Sequence, residues 1–271
     1  MEKKFKLGVI GAGFMSTAIV SGALKAGFLS DKEIVVSDIS EKSFDKVKKY
    51  GVATTTDNSY VFNNSEFVLF AVKPQNFKAV IQAENDISCN KFISIMAGVK
   101  KQYIKDAISK EAALVARCMP NTPCSLGYGA VGMDISDYSE ESDIEFIGGL
   151  FKCFAKVVFL DEEKLNAVTG ISGSSPAYFY LFAKYLIDAG VKSGLSEEDA
   201  KNLVVNTMIG SGKMVFENSD KTIEELIAAV CSKGGTTIEA VKSFENSDLK
   251  TAVEKAVDAC IKRSEELESL L

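Results

Sequence analysis

Short apolar runs separated by amphipathic stretches fill the first part of the chain, and this alternation restricts the fold more than any other feature. Runs 5–10, 34–37, 67–72, 92–96 and 113–118 are rich in Val, Ile, Leu and Phe, as strands buried on both faces are. Between them, stretches 15–27, 41–50, 75–83 and 101–109 carry helical patterns. Strand–helix alternation produces βαβ units, hence a parallel sheet with helices on both faces. Two later runs, 129–133 and 156–160, are expected to extend that sheet. After Asp161 the strand pattern stops. Pro176 suits a first helical turn, ahead of an apolar stretch reaching Val191. Ser196-Glu197-Glu198-Asp199 reads as a cap followed by acids, Thr222 with Glu225 repeats that signal, and 248–271 reads as one striped helix. The expected fold is α/β: an N-terminal Rossmann-like doubly wound sheet in residues 1–160 and an all-helical domain in residues 161–271. The helices at 176–191 and 200–215 are apolar nearly all round, so burial against a second copy, in an obligate homodimer, is expected.

Composition removes several functions. A net charge of −6 argues against nucleic-acid binding, which needs a basic face. No run approaches the ~18 uninterrupted apolar residues of a membrane span. The basic start, from Met1 to Lys6, leads into glycines and not into the long apolar core of a signal peptide, so the cytoplasm is the expected location. Cys89, Cys118, Cys124, Cys153, Cys231 and Cys260 are widely spaced and read as free thiols. The chain contains no histidine. That excludes Ser-His-Asp and Cys-His catalysis, imidazole acid–base chemistry and His-based metal sites, and no metal is expected. Any proton moved in catalysis comes from a carboxyl, a lysine, a hydroxyl or water.

Gly11-Ala12-Gly13-Phe14-Met15-Ser16 directly follows the first strand run and opens the first helix, which is the context of a dinucleotide-binding turn. Gly11 allows the tight turn, Gly13 lets the backbone approach a pyrophosphate, and the helix N-terminus supplies oriented N–H donors. The third position is Ser16, small enough for close packing of strand and helix. The second strand ends in Ser37-Asp38; an acid there usually bonds the ribose 2′-hydroxyl and favours NAD(H). A 2′-phosphate wants hydroxyls and cations, which Ser37, Ser40 and Lys42 offer if Asp38 turns away, so NADH and NADPH both stay open. Asn58 either bonds the adenosine portion or caps the next helix. Ala71-Val72-Lys73-Pro74 and Ile95-Met96-Ala97-Gly98 fall at the carboxyl ends of strands, where open α/β sheets bind ligands. Lys73 is either a cation for the ligand or a solvated loop lysine.

Three further segments narrow the reading: Arg117-Cys118-Met119-Pro120-Asn121-Thr122-Pro123 followed by Gly127 and Gly129; Thr169-Gly170-Ile171-Ser172-Gly173-Ser174-Ser175-Pro176-Ala177-Tyr178; and Ser232-Lys233-Gly234-Gly235-Thr236-Thr237. In this order and spacing, together with the glycine turn and Ala71-Val72-Lys73-Pro74, essentially the whole chain resembles the pyrroline-5-carboxylate reductase family. The resemblance implies a helical domain interlocked in a homodimer, with rings of dimers in some members. It implies NAD(P)H-dependent reduction of Δ1-pyrroline-5-carboxylate to L-proline, the last step of proline biosynthesis. It implies that Ile10, Gly11, Ala12, Gly13, Phe14, Met15, Asp38, Asn58, Ala71, Val72, Lys73, Pro74, Ile95, Met96 and Ala97 hold the dinucleotide. Substrate or product then falls to Glu162, Ser232, Gly234, Gly235, Thr236 and Thr237. The chain departs from the family pattern at Ser175, where glycine is usual, at Lys233, where proline is usual, and at Phe14, where bacterial members commonly have asparagine.

A cyclic imine asks little of a protein. Its nitrogen is basic enough to be protonated and the iminium is an electrophile, so orientation, worth on the order of 7–11 kcal/mol in favourable cases, carries much of the catalysis. That suits a site without histidine. Thr237 is the expected catalytic residue, its hydroxyl bonding the ring nitrogen and relaying a proton. The Gly234 and Gly235 amides and the Ser232 and Thr236 hydroxyls are expected to hold the ring carboxylate. From the residues alone, this segment is equally a glycine turn with Thr236 capping a helix. Asn121-Thr122 is equally a Pro-bounded turn, and Glu162 most simply begins a helix, its substrate role resting on the resemblance alone. Two other functions stay open: a related reductase of a keto or hydroxy acid, with Lys184 or Lys201 as acid–base group, and a catalytically silent paralogue that binds dinucleotide.

Overall fold

The computed structural model describes residues 3–84 and 87–269. They form two compact units: one of residues up to Ser174 together with those from Cys260 onward, the other of Ser175–Ala259. The strands of the first unit are β1 (Phe5–Ile10), β2 (Ile34–Ser37), β3 (Ala53–Thr55), β4 (Ser65–Phe70), β5 (Lys91–Ser94), β6 (Leu114–Pro120), β7 (Gly129–Asp134) and β8 (Ala155–Phe159). Its helices are α1 (Phe14–Lys25), α2 (Asp45–Lys48), α3 (Asn58–Asn64), α4 (Pro74–Gln82), α5 (Lys101–Ala107), α6 (Glu141–Lys152) and α7 (Leu165–Val168). The strands form one sheet in the order β3-β2-β1-β4-β5-β6-β7-β8. Strand order therefore reverses between β1 and β4, which is where a doubly wound sheet opens a crevice.

Alternate residues of the central strands feed two cores. In β4, Phe67 and Leu69 join one cluster with Ile19, Phe146 and Leu150, while Val68 and Phe70 join the other with Val61, Phe77 and Ile104. Phe67 stacks on Phe146 at 4.4 Å and Phe70 on Phe92 at 5.4 Å between ring centroids. Full burial of each such side chain contributes about 1.5–3 kcal/mol. Because both faces are covered, these strands read as unbroken apolar runs.

Two strands depart from the expected parallel arrangement: β7 pairs antiparallel with β6, Arg117 facing Asp134 and Pro120 facing Val131, and β8 runs parallel to β7. Only the short segment 121–128 joins β6 to β7, mostly a single 3-10 turn (Thr122–Leu126), too short for a crossover to a parallel neighbour. The stretch expected as a helix at 41–50 is instead a 3-10 turn (Glu41–Phe44) running into the single-turn α2.

The second unit holds α8 (Ser175–Lys192), α9 (Glu197–Glu217), α10 (Ile223–Val230), α11 (Thr236–Asn246) and the first part of α12 (Leu249–Ser269). Its caps form as their residues require. Ser196 Oγ accepts the Asp199 N–H at 3.0 Å, and Thr222 with Glu225 closes a reciprocal capping box. The final helix was expected through Leu271; Leu270 and Leu271 lie outside the described residues. Phe179, Tyr180, Leu181 and Tyr185 of α8 and Ile209 and Phe216 of α9 are each at least half exposed in the single chain. So many large apolar side chains left exposed on two helices mark an interaction surface. The expected change of character near residue 160 is a change from sheet to helix, after β8 ends at Phe159, whereas compactness groups 161–174 with the sheet. Among the described residues no helix is long and apolar enough to cross a membrane. The six cysteines are free.

A buried ion cluster fastens α5 to the sheet. Lys101, 8% exposed, donates to Asp134 at 2.7 Å, Ser136 at 2.7 Å and Asp137 at 2.9 Å, and Lys105 also meets Asp137 at 2.9 Å. Burial alone would raise the Asp134 and Asp137 carboxyls, but hydrogen bonds from Lys101, Lys105 and Ser136 outweigh it and hold both below their ordinary value. Desolvation opposes the Lys101 charge in the same way, yet the two aspartates raise its affinity for the proton. The aspartate contribution is complete above the unfolded value of ~3.9 and is lost as pH falls through the lower folded value. The lysine contribution is complete below its unfolded value of ~10.4 and is lost as pH rises through the higher folded one. Lys101→Met leaves the buried Asp134 carboxylate without a cation and is expected to cost about 3 kcal/mol at neutral pH. Urea unfolding checks this: the gap between parent and variant should narrow below about pH 4, and equal midpoints at pH 7 would contradict the account.

Candidate active site

The carboxyl ends of β1, β2 and β4 frame a cleft of about 530 Å³ at the point where strand order reverses. Ile10, Gly11, Gly13, Asp38, Asn58, Ala71, Val72 and Lys73 line it, all of them singled out from sequence. Gly11 adopts φ +105, and a Cβ there would come 2.7 Å from the Ala71 carbonyl oxygen, so only glycine lets the turn pass so close to the end of β4. Gly13 precedes α1 with no side-chain cap, and a Cβ on it would meet nothing within 4 Å. The first-turn amides of α1 are thus left without a capping side chain at the mouth of the cleft, and they suit a pyrophosphate. Ser16 is buried, as close packing of α1 on the sheet demands.

Asp38 does not turn away. Its Oδ2 accepts the Ala12 N–H at 2.8 Å and its Oδ1 accepts the Ser40 N–H at 2.9 Å, which fixes the carboxylate at the cleft. Ser37 is fully buried and gives its hydroxyl to Asn58 Oδ1 at 2.7 Å, so it is not free to meet a phosphate. Asn58 is not the cap of α3: Asp57 fills that role by accepting from Tyr60 N at 3.1 Å, leaving Asn58 on the cleft wall. Lys73 is exposed and precedes Pro74, the first residue of α4. Ala12, Phe14, Met15, Pro74, Ile95, Met96 and Ala97 are not on the wall of this cleft. Met96 is core, Phe14 is 58% exposed, and Ile95 and Ala97 are half-buried after β5. Sequence reading missed Ile39, next to Asp38, and Asn76, Ala79, Val80 and Ala83, which line the cleft at helical spacing along one side of α4 and its C-cap.

Glu162 sits in the same unit. Its Oε1 accepts the Lys101 N–H at 2.7 Å and a bond from Arg117 Nη1 at 3.2 Å. Arg117, 4% exposed, also reaches Glu268 at 2.9 Å. Its role as an ion-pair centre was missed, although a lone cation within the apolar run Leu114-Val115-Ala116-Arg117-Cys118 must find a carboxylate partner when buried. Asn121 is structural: its Oδ1 accepts the Ala130 N–H at 3.0 Å and its Nδ2 donates to Ser172 in the π-helical turn Thr169–Gly173.

In the second unit, Ser232 to Gly235 form a tight loop into α11. Gly234 has φ +73, Gly235 N–H bonds the Ser232 carbonyl at 3.0 Å, and Thr236 and Thr237 are the first two residues of the helix. Gly235, not Thr236, occupies the cap position, with no side-chain bond to the first-turn amides. Those amides and the adjacent hydroxyls form a donor-rich end suited to a carboxylate. Ser232, Lys233 and Thr236 are exposed and Thr237 is half-buried. Among the described residues positive φ outside glycine occurs only at Ser109 and Asp248, so Ser175 opens α8 without that strain. Lys184 is paired with Asp188 on α8, and Lys201 is exposed on α9.

Comparison with known proteins places these features. Residues 162–267 match the model of pyrroline-5-carboxylate reductase dimerisation, and residues 6–98 match that of the coenzyme F420-dependent NADP oxidoreductases. The pyrroline-5-carboxylate reductase of Haemophilus influenzae is 36% identical, over 96% of this chain and 97% of its own. That of Vibrio alginolyticus is 34% identical over the full length of both. The solved pyrroline-5-carboxylate reductase of Coxiella burnetii superposes with a TM-score of 0.88 at 30% identity, covering 98% of this chain and 99% of its own. The NADP-bound pyrroline carboxylate reductase of Plasmodium falciparum gives 0.87 at 29%, covering 99% and 100%. With its glycine turn, its reversed strand order and its Gly-Gly-Thr-Thr helix start in one full-length match, this chain belongs to the pyrroline-5-carboxylate reductase family of oxidoreductases.

Proposed function

We propose that this chain reduces Δ1-pyrroline-5-carboxylate to L-proline, taking up one hydride and one proton so that the ring C=N becomes CH–NH. The observation that carries the reading is the pairing, within one chain of this family, of a cleft built for a dinucleotide with an uncapped helix start at Thr236 and Thr237. The cofactor is a nicotinamide dinucleotide, which supplies the hydride when bound. Ile10, Gly11, Ala12, Gly13, Phe14 and Met15 receive its pyrophosphate side, and Asp38 and Asn58 its adenosine side. Ala71, Val72, Lys73, Pro74, Ile95, Met96 and Ala97 complete the site along the strand ends. The Gly234 and Gly235 amides with the Ser232 and Thr236 hydroxyls hold the ring carboxylate, and Glu162 borders the substrate. Thr237 bonds the ring nitrogen, orients it and relays its proton. Hydride goes to the imine carbon, which does not carry the carboxylate.

The division of labour follows the sequence boundary, with residues 1–160 for the dinucleotide and 161–271 for substrate and dimerisation. The exposed apolar faces of α8 and α9 support a homodimer, and rings of dimers extend it. Six free thiols support a reducing compartment, the cytoplasm. The Asp38 carboxylate, fixed by two backbone amides, favours an unphosphorylated ribose, so NADH is the preferred donor.

Loss of cofactor absorbance with the imine, set against keto acids, tests the reaction. Turnover with the imine alone supports it, whereas dinucleotide binding without turnover identifies a silent paralogue. Thr237→Ala should lower kcat/KM by at least about tenfold, and unchanged kinetics would remove Thr237 from the mechanism. Asp38→Asn keeps an acceptor for Ala12 but loses the charge. It should raise the NADPH-to-NADH ratio of kcat/KM by about tenfold, and an unaltered ratio would assign cofactor choice elsewhere.

A further inference from the structure

Several contacts converge on the loop that leaves β5, and they come from the far end of the chain. Gly98 has φ +68, and a Cβ there would lie 3.1 Å from both Leu267 Cβ and the Ser264 carbonyl oxygen, so the last turns of α12 rest directly on the loop backbone. Ser264, 4% exposed, anchors that end of α12 by donating Oγ to Asn166 Oδ1 at 2.8 Å. Glu268 accepts from Arg117 Nη2 at 2.9 Å and lies 3.6 Å from the loop residue Lys100. The other arm of Arg117 reaches Glu162, which in turn accepts the Lys101 N–H where the loop enters α5. The guanidinium is permanently charged and buried, so it demands both carboxylates. Through it, β6, α5 and α12 hold one another.

We propose that the last turns of α12 are a positioning element for the dinucleotide. Glu268, acting through Arg117, and Leu267, acting on Gly98, fix the shape of the segment that presents Ile95, Met96 and Ala97. Glu268 is a positioning residue and has no part in the chemistry. The inference rests on the assignment of those three residues to the dinucleotide site. A clamp of this kind governs how well the dinucleotide is received and leaves recognition of the imine, assigned to the start of α11, unaltered.

The test uses the full chain. In Glu268→Gln, the Kd and KM for the dinucleotide should rise at least about fivefold while the KM for the imine stays within about twofold. Gly98→Ala, which drives the loop and α12 apart, should shift the same two constants in the same direction. Hydrogen exchange on the unaltered chain, without dinucleotide, gives a readout independent of turnover and of whether either variant folds. Amides at 98–101 should exchange as slowly as those at 264–268, and both groups should quicken together in Glu268→Gln. Independent exchange of the two groups overturns the clamp. If the parent binds no dinucleotide, the site assignment fails; if parent and Glu268→Gln bind it equally well, the positioning inference fails alone.

Discussion

The close passage of the Gly11 backbone over the end of β4 sets the geometry around the cleft. Three strand ends meet there through main-chain bonds: Gly11 N–H to the Ser37 carbonyl at 2.8 Å, and Ala71 N–H to the Ile10 carbonyl at 2.9 Å. Asp38 closes the third side by accepting from Ala12. Because backbone groups make the first two contacts, the joined strand ends keep their places over a range of side chains on the cleft wall. The residue that cannot vary is the glycine, whose φ no L side chain adopts without strain.

Without histidine, the protein invests its charge in structure. Its most buried cations, Lys101 and Arg117, hold loops at the carboxyl edge of the sheet, each shared between two carboxylates. Such sharing fixes direction as well as distance, since a guanidinium presents its donors in a planar fork. On the proposed reading, the chemistry left for the reacting groups is then light: main-chain amides, hydroxyls and a well-held geometry.

The sequence shows the sheet clearly because its strands are buried on both faces. Runs 5–10 and 34–37 coincide with β1 and β2, and Gly11, Gly13, Asp38 and Asn58 line the same cleft. What it hides is partnership at a distance. The antiparallel turn of β7 depends on the length of a connection, not on the pattern of its residues. The side of α4 carrying Asn76, Ala79 and Val80 is legible as a helix face, but nothing local says that it looks onto a cleft. Arg117 was visible as an anomaly in an apolar run, yet its partners, Glu162 and Glu268, are 45 and 151 residues away. The short β3, half-buried at the sheet edge, carries too few apolar residues to announce itself.

The sheet-bearing unit is discontinuous in the chain, since residues from Cys260 onward return to it after the helical unit has intervened. A ribosome makes those residues only after the whole of Ser175–Ala259. Nascent βαβ units can collapse early, but the seat for α12 beside Gly98 and the second carboxylate for Arg117 are supplied only after the helical unit has been made. Completion of the sheet-bearing unit is thereby coupled to synthesis of the helical one, so a chain broken off before Glu268 leaves Arg117 with Glu162 as its one carboxylate and Gly98 without its cover.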